Sequence, residues 1–221
     1  MYDASSNKFR IGTSLLSFRP EDVGLLLGLR CDGDAVVFQK NKARTSFEER
    51  YFLKIYERHR DSIRRTLDQL VRQRGEEENF VKVLMVYLMG RVLFPNTSSS
   101  VPNWIVEYVD DLTGMGRYAW AAAAHKWLMD DVPQAAARVK ARCAGNKIQT
   151  GFVKGCSVAL NIWFYKLTGC IAKVSFGKTP RMLCYGANTY RNHASLETIM
   201  SSIEGEEVRY MQTSSTIVFC V

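Results

Sequence analysis

The sequence has little of what metal and acid–base chemistry draws on. It has three histidines in 221 residues. His59, His125 and His193 stand far apart, none at ligand spacing from another. Six cysteines are present (Cys31, Cys143, Cys156, Cys170, Cys184 and Cys220), but no Cys-x-x-Cys pair, which excludes the usual zinc frameworks. Most of them sit among apolar residues, so reduced, buried thiols are expected. Gly-x-Ser-x-Gly, His-Glu-x-x-His and Walker A patterns are all missing, which removes the commonest hydrolase and nucleotide-triphosphatase signatures. No apolar run reaches membrane length. The most apolar segment, Phe80 to Phe94, is interrupted by Lys82 and Arg91 and falls short of the roughly 20 residues a span requires. Met1 to Phe18 mixes Asp3, Lys8 and Arg10 with serines, so no secretory leader is expected and the Asn96-Thr97-Ser98 sequon is discounted.

What is present is a globular composition. Hydrophobic residues make up 47% of the chain, enough for a core without metal or disulfide staples and too many for a disordered chain. The net charge of +8 favours an acidic partner over a basic one and says nothing of fold.

Helix signals dominate. Pro20, Glu21 and Asp22 suit the first turn of a helix that Gly28 stops. The turn Cys31–Asp34 and a short strand Ala35–Phe38 are expected to follow. Thr45 or Ser46 with Glu48 or Glu49 forms a capping-box pattern. Behind it Phe47, Tyr51, Ile55, His59, Ile63, Leu67 and Leu70 recur at three- or four-residue steps. That periodicity predicts one amphipathic helix of about seven turns ending near Gly75. Glu76–Glu78 open the next helix, Phe80–Phe94, which is apolar nearly all round and should be central. Further helices are expected at Trp104–Leu112, at Arg117–Met129 and from Asp131 to Ala144, the last two as a tightly packed alanine-rich pair. A second central helix is expected at Lys154–Leu167. Lys173–Phe176 and Arg181–Tyr185 read as extended segments and Ser195–Ile203 as a helix. The apolar Thr216–Val221 reads as a strand whose partner would lie in a longer chain. The fold class is thus mainly α, a single helical domain around two apolar central helices with minor β elements. It covers residues 18–168, and 169–221 form a C-terminal extension.

Four patterns bear on chemistry. Gly114-Met-Gly116-Arg-Tyr-Ala119 fits a relaxed Gly-x-Gly-x-x-Ala fingerprint. A dinucleotide site, however, needs a buried strand running into the first glycine, and Asp110, Asp111 and Thr113 stand there instead. The glycines are expected to break one helix and begin the next. The pairs Asp110/Asp111 and Asp130/Asp131 read as caps and solvated charge. Trp104, Trp120, Trp127 and Trp163 fall at core positions and are expected to pack. No catalytic, cofactor-binding or metal-binding residues are assigned. From Asn41 to Arg74, ten Lys or Arg stand against five Asp or Glu. Arg50, Lys54, Arg58, Arg65 and Arg72 would line one polar helix face able to track phosphates. Asp61–Arg65 and Asp68–Arg72 are spaced to pair at i, i+4 and neutralise part of that face.

Four segments together resemble the plant mobile domain family, labelled aminotransferase-like and associated with transposable elements. They are Asp22-Val-Gly-Leu-Leu-Leu-Gly-Leu29, Val86-Tyr-Leu-Met-Gly-Arg-Val-Leu-Phe-Pro95, Tyr108-Val-Asp-Asp-Leu-Thr-Gly-Met-Gly-Arg-Tyr-Ala-Trp120 and Gly155-Cys-Ser-Val-Ala-Leu-Asn-Ile-Trp-Phe-Tyr165. A related domain occurs in plant Mutator-like transposon proteins. The resemblance implies a nuclear, non-catalytic protein-interaction module of a transposon-derived protein, linked to silencing or genome stability. The alternative is a DNA-binding module using the basic helix face. No lysine has the setting pyridoxal phosphate would need, so that label carries no cofactor with it. The implied partner is a nuclear protein, with DNA as the alternative and no membrane.

Overall fold

The computed structural model describes residues 2–11, 13–40, 43–146, 152–168, 173 and 175–185. The expected helix at Ser195–Ile203 and strand at Thr216–Val221 lie outside them. The architecture is mainly α with minor β elements.

The sheet lies where no strand was expected. Tyr2–Asp3 (β1), Lys8–Ile11 (β2) and Ser14–Leu16 (β3) form an antiparallel meander in the order β1-β2-β3. Tyr2 pairs with Phe9 and Phe9 with Leu16. Asp3 builds the first turn by accepting from the Ser5 N–H and from the Ser5 and Ser6 hydroxyls at 3.1, 2.7 and 2.6 Å, the side-chain mimicry that makes aspartate a turn former. Ile11 and Leu16 are buried in the common core, so the domain begins before residue 18, where the helical pattern starts.

Pro20–Leu27 (α1) is the helix its sequence predicts. Asp22 accepts from the Arg19 N–H at 3.0 Å, and Gly28 closes the end in the left-handed conformation, φ 72°, donating to Gly24 O at 2.8 Å. The expected strand at Ala35–Phe38 does not form. The backbone there pairs elsewhere: Asp34 N–H donates to Arg117 O, Ala119 N–H to Asp34 O, and Val37 N–H to the Tyr108 hydroxyl. Phe38 then enters an aromatic cluster.

The single seven-turn helix is three pieces: Ser46–Tyr51 (α2), a 3₁₀ turn Ile55–Arg58, and Arg60–Leu70 (α3). Thr45 caps α2 as its capping pattern implies, accepting from Glu48 N–H. The break has a packing cause. Phe47 and Phe52 are both buried and meet edge to face at 5.6 Å, whereas residues five apart on one helix point about 140° apart. Tertiary pairing holds the break open. Val101 N–H donates to Arg58 O at 2.9 Å and Arg60 N–H to Ser99 O at 3.2 Å, and such bonds are unavailable inside a continuous helix.

Glu77–Leu88 (α4) continues as a π-helical turn, Met89–Leu93. It is less central than its composition implies: Val83, Val86 and Met89 are buried, but Val81, Leu88 and Val92 are each 42% exposed. Then come Asn103–Val109 (α5), Trp120–Met129 (α6), Val132–Cys143 (α7) and Ser157–Thr168 (α8). The alanine face of α6 packs chiefly against α1 rather than α7, and α7 buries only Val132. Arg181–Cys184 is a 3₁₀ turn, not an extended segment. Among the described residues no helix is long and apolar enough to cross a membrane.

The core is aromatic at its centre. Phe94 has Phe38, Trp104, Trp120 and Trp127 around it at centroid distances of 6.3, 4.9, 6.1 and 6.3 Å. At the other end of the core Trp163 of α8 meets Phe9 at 5.6 Å and Phe18 at 5.3 Å. All four tryptophans therefore pack, as expected.

Candidate functional site

The broken helix redistributes the five basic residues. Arg50 on α2 donates to Glu76 at 2.7 Å, and Tyr51 and Asn79 donate to the same carboxylate. Asn79 and Arg50 together hold the Glu76 carboxyl below its ordinary range. Arg50 thus ties α2 to the start of α4. Lys54 lies over the Tyr56 ring at 5.6 Å. Arg65 is exposed on α3, and Arg72 is exposed beyond its end. The expected pairs Asp61–Arg65 and Asp68–Arg72 do not form among the described residues; Asp61 takes Arg60 instead, at 3.4 Å. Arg50, Arg58 and Arg65 are on three separate elements, Lys54 precedes the 3₁₀ turn and Arg72 follows α3, so the five no longer line one helix face, because the chain turns at Phe52 and again at His59.

One of them, Arg58, lines a recess of about 360 Å³ with Lys40, Arg44, Glu48, Leu53 and Asn103. Phe47 and Phe52 anchor α2 into the core, which swings the buried Glu48 toward the segment before the helix, where Lys40 pairs with it. The 3₁₀ turn brings Arg58 to the same wall. Its Nε is sealed from solvent with no hydrogen-bond partner. Burial lowers the proton affinity of this guanidinium, Glu48 opposes that, and Arg44 adds to it by repulsion. An adjoining recess of about 170 Å³ shares Lys40, Ala43 and Glu48 but is otherwise acidic, with Glu107, Asp110 and Asp111. Lys82 bridges Asp110 to Glu78 there. Sequence reading found Arg58 but neither Lys40, Arg44 nor Asn103. They converge only because α2 ends early, and nothing in a helical period signals that.

The remaining candidates are structural. Gly114–Arg117 is a 3₁₀ turn, and Asp111 accepts from the Gly114 N–H and the Thr113 hydroxyl, each at 2.9 Å. The donor a phosphate would need is occupied by a carboxylate. Asp131 is buried and accepts from Lys154 N–H at 3.0 Å, tying the start of α7 to the approach to α8. His125 bonds the Phe18 carbonyl at 2.9 Å and His59 precedes α3. Of the cysteines, Cys31, Cys143, Cys156 and Cys184 are free thiols, with Cys156 and Cys184 buried and Cys143 exposed. Burial pushes the Cys156 thiol up, the direction of an inert core thiol. Among the described residues no group of His, Cys, Asp and Glu could hold a metal ion.

A family model described as a domain of unknown function, DUF8566, matches residues 1–161. The chain belongs to the DUF8566 family. The matched range takes in the β1–β3 meander, the basic recess and the start of α8, so the elements that build the site are all within the DUF8566 region. No curated protein and no solved structure matches the chain.

Proposed function

We propose that this DUF8566 member is a non-catalytic protein-interaction module whose contact surface is the outer face of α4. The observation that carries the reading is the apolar stripe Val81, Leu88 and Val92, each 42% exposed. Leu84 and Met85 are half-buried between them. These residues recur at three- or four-residue steps along one helix. Clustered exposed apolar residues mark association sites more often than lone ones do, and a stripe at helical spacing suits packing against a second apolar helix. Acidic Glu77 and Glu78 precede the stripe and Arg91 lies near its end, so charge would orient such a helix. The test is quantitative affinity capture with wild type and with a Val81→Lys/Leu88→Lys variant that keeps the wild-type circular dichroism spectrum. Partners retained by wild type should be lost from the variant. An unchanged partner set would remove α4 as the surface.

Nuclear residence, origin in a plant transposable element and a role in silencing or genome stability belong to the same proposal. They rest on the resemblance of the four segments to plant mobile domain proteins. A fluorescent fusion excluded from plant nuclei would overturn that part.

A second reading, DNA binding, is favoured by Arg65 and Arg72, which stay exposed with no ion-pair partner among the described residues. If α3 and its C-terminal turn contact phosphates, affinity must fall steeply with salt. Each lost phosphate contact should reduce the log–log slope by about 0.9. Arg65→Glu/Arg72→Glu would then flatten the salt dependence; an unchanged slope would rule this surface out.

A further inference from the structure

The recess beside α2 is short of negative charge. Lys40, Arg44 and Arg58 face it against the single carboxylate of Glu48, so three cations against one anion leave two positive charges. Glu48 is committed to Lys40. Among the described residues neither the Arg44 nor the Arg58 guanidinium has a hydrogen-bond acceptor or an ion-pair partner, and the Arg58 Nε is closed off from water. Arg58 is half-buried, so an oxyanion entering the recess meets the outer edge of its guanidinium and not the sealed Nε, and two guanidiniums without acceptors on one wall favour a multivalent oxyanion there.

The shape narrows the ligand. The recess is concave, so a terminal phosphoryl group can enter it, whereas a duplex backbone is convex and would run past. The one ring in the wall of the recess, Phe52, is 3% exposed, so the recess itself offers no aromatic face to a nucleobase. Leu53 in the wall is 45% exposed, and the chain runs on from it through Lys54 to Ile55 and Tyr56, exposed at 66 and 56%, as a mainly apolar ledge. A phosphorylated side chain brings a charge of about −1.5 to −2 and three acceptor oxygens, matching the uncompensated charge, and its flanking residues can lie on the ledge.

We propose that this recess docks a phosphorylated serine or threonine of a protein partner, with Arg44 and Arg58 holding the phosphoryl oxygens and Leu53–Tyr56 receiving the neighbouring apolar residues. The proposal rests on the interaction-module reading but uses a different surface from α4.

The test is fluorescence anisotropy of the full chain with a phosphoserine/phosphothreonine peptide pool of random flanks, against the same pool unphosphorylated. The phosphorylated pool should bind tighter by about tenfold or more, and Arg58→Gln and Arg44→Gln should each remove most of that advantage. Arg65→Gln and Val81→Lys/Leu88→Lys should leave it unchanged, which separates failure of this site from failure of the α4 surface. Arg44 is exposed, so its substitution reads the site even if Arg58→Gln unfolds the chain. Equal binding of the two pools, binding indifferent to Arg44→Gln, or tighter binding of a 5′-phosphorylated oligonucleotide would each overturn the proposal.

Discussion

Replacing Phe94 with alanine should be among the most damaging single changes available to this fold. The side chain is fully buried and sits where the turn after α4 meets α5 and α6, with four aromatic rings within 6.3 Å of its centroid. Truncation forfeits the transfer free energy of the ring and leaves a cavity that rigid indoles on separate elements cannot collapse into, which together amount to about 3–5 kcal/mol. Each lost edge-to-face contact deepens that figure. For a domain of this size a kilocalorie moves the midpoint by about 2–4 °C, so Tm should fall by roughly 6–20 °C. The assay is urea unfolding followed by tryptophan fluorescence, since Trp104, Trp120 and Trp127 report on the site itself. Phe94→Leu serves as the control that keeps most of the volume and should lose well under half as much. A loss below about 2 kcal/mol for the alanine variant would mean that the cluster yields to fill the space, and would refute a rigid aromatic centre.

Other changes test other parts of the fold. Gly155 has φ +83°, and a Cβ there would lie 2.7 Å from Leu128 Cα. Gly155→Ala should therefore cost about 2–4 kcal/mol by thermal or urea unfolding; near-wild-type stability would show that the α6–α8 approach is looser than the geometry requires. The Asp22 carboxyl is pushed up, first by burial, with the Arg19 N–H bond and Lys166 opposing. Its proton is thus held more tightly folded than unfolded. That contribution is full below the unfolded pKa of about 3.9 and is lost as pH rises through the folded value. Asp22→Asn, which does not titrate, should flatten this part of a stability profile taken from about pH 3 to 7, and parallel profiles would contradict the assignment.

The helical content was legible because α1, α4, α5 and α8 carry caps, breakers and period together: Pro20 and Gly28 bound α1, Glu76–Glu78 and Pro95 bound the α4 segment. What escaped was decided by contacts distant in sequence. Phe47, Tyr51, Ile55, His59 and Ile63 keep a four-residue spacing that reads as helical, yet the burial of Phe52 and the backbone bonds of Arg58 and Arg60 to residues 99–101 outweigh it. The β2 alternation Lys8-Phe9-Arg10-Ile11 is only four residues long, and the ring that Phe9 packs against, Trp163, is distant in sequence. Ala35–Phe38 has strand-forming residues without a neighbouring strand to pair with. The basic recess was illegible for the same reason as the helix break that creates it. Only Arg58 was in view, and for a different geometry.

The contact between β2 and α8 also sets a clock on biosynthesis. Phe9 and Trp163 are about 150 residues apart, and translation proceeds at about 5–20 residues per second. The meander is therefore made roughly 8–30 seconds before the helix it leans on exists. For that interval Tyr2, Phe9 and Ile11 belong to a three-stranded meander of very short strands without Trp163 over Phe9, and a sheet of this size depends on a covered apolar face for its stability. The nascent chain must thus carry the meander unfinished until α8 arrives, and a chain stalled before α8 would display those aromatic residues to whatever quality-control machinery surrounds the ribosome.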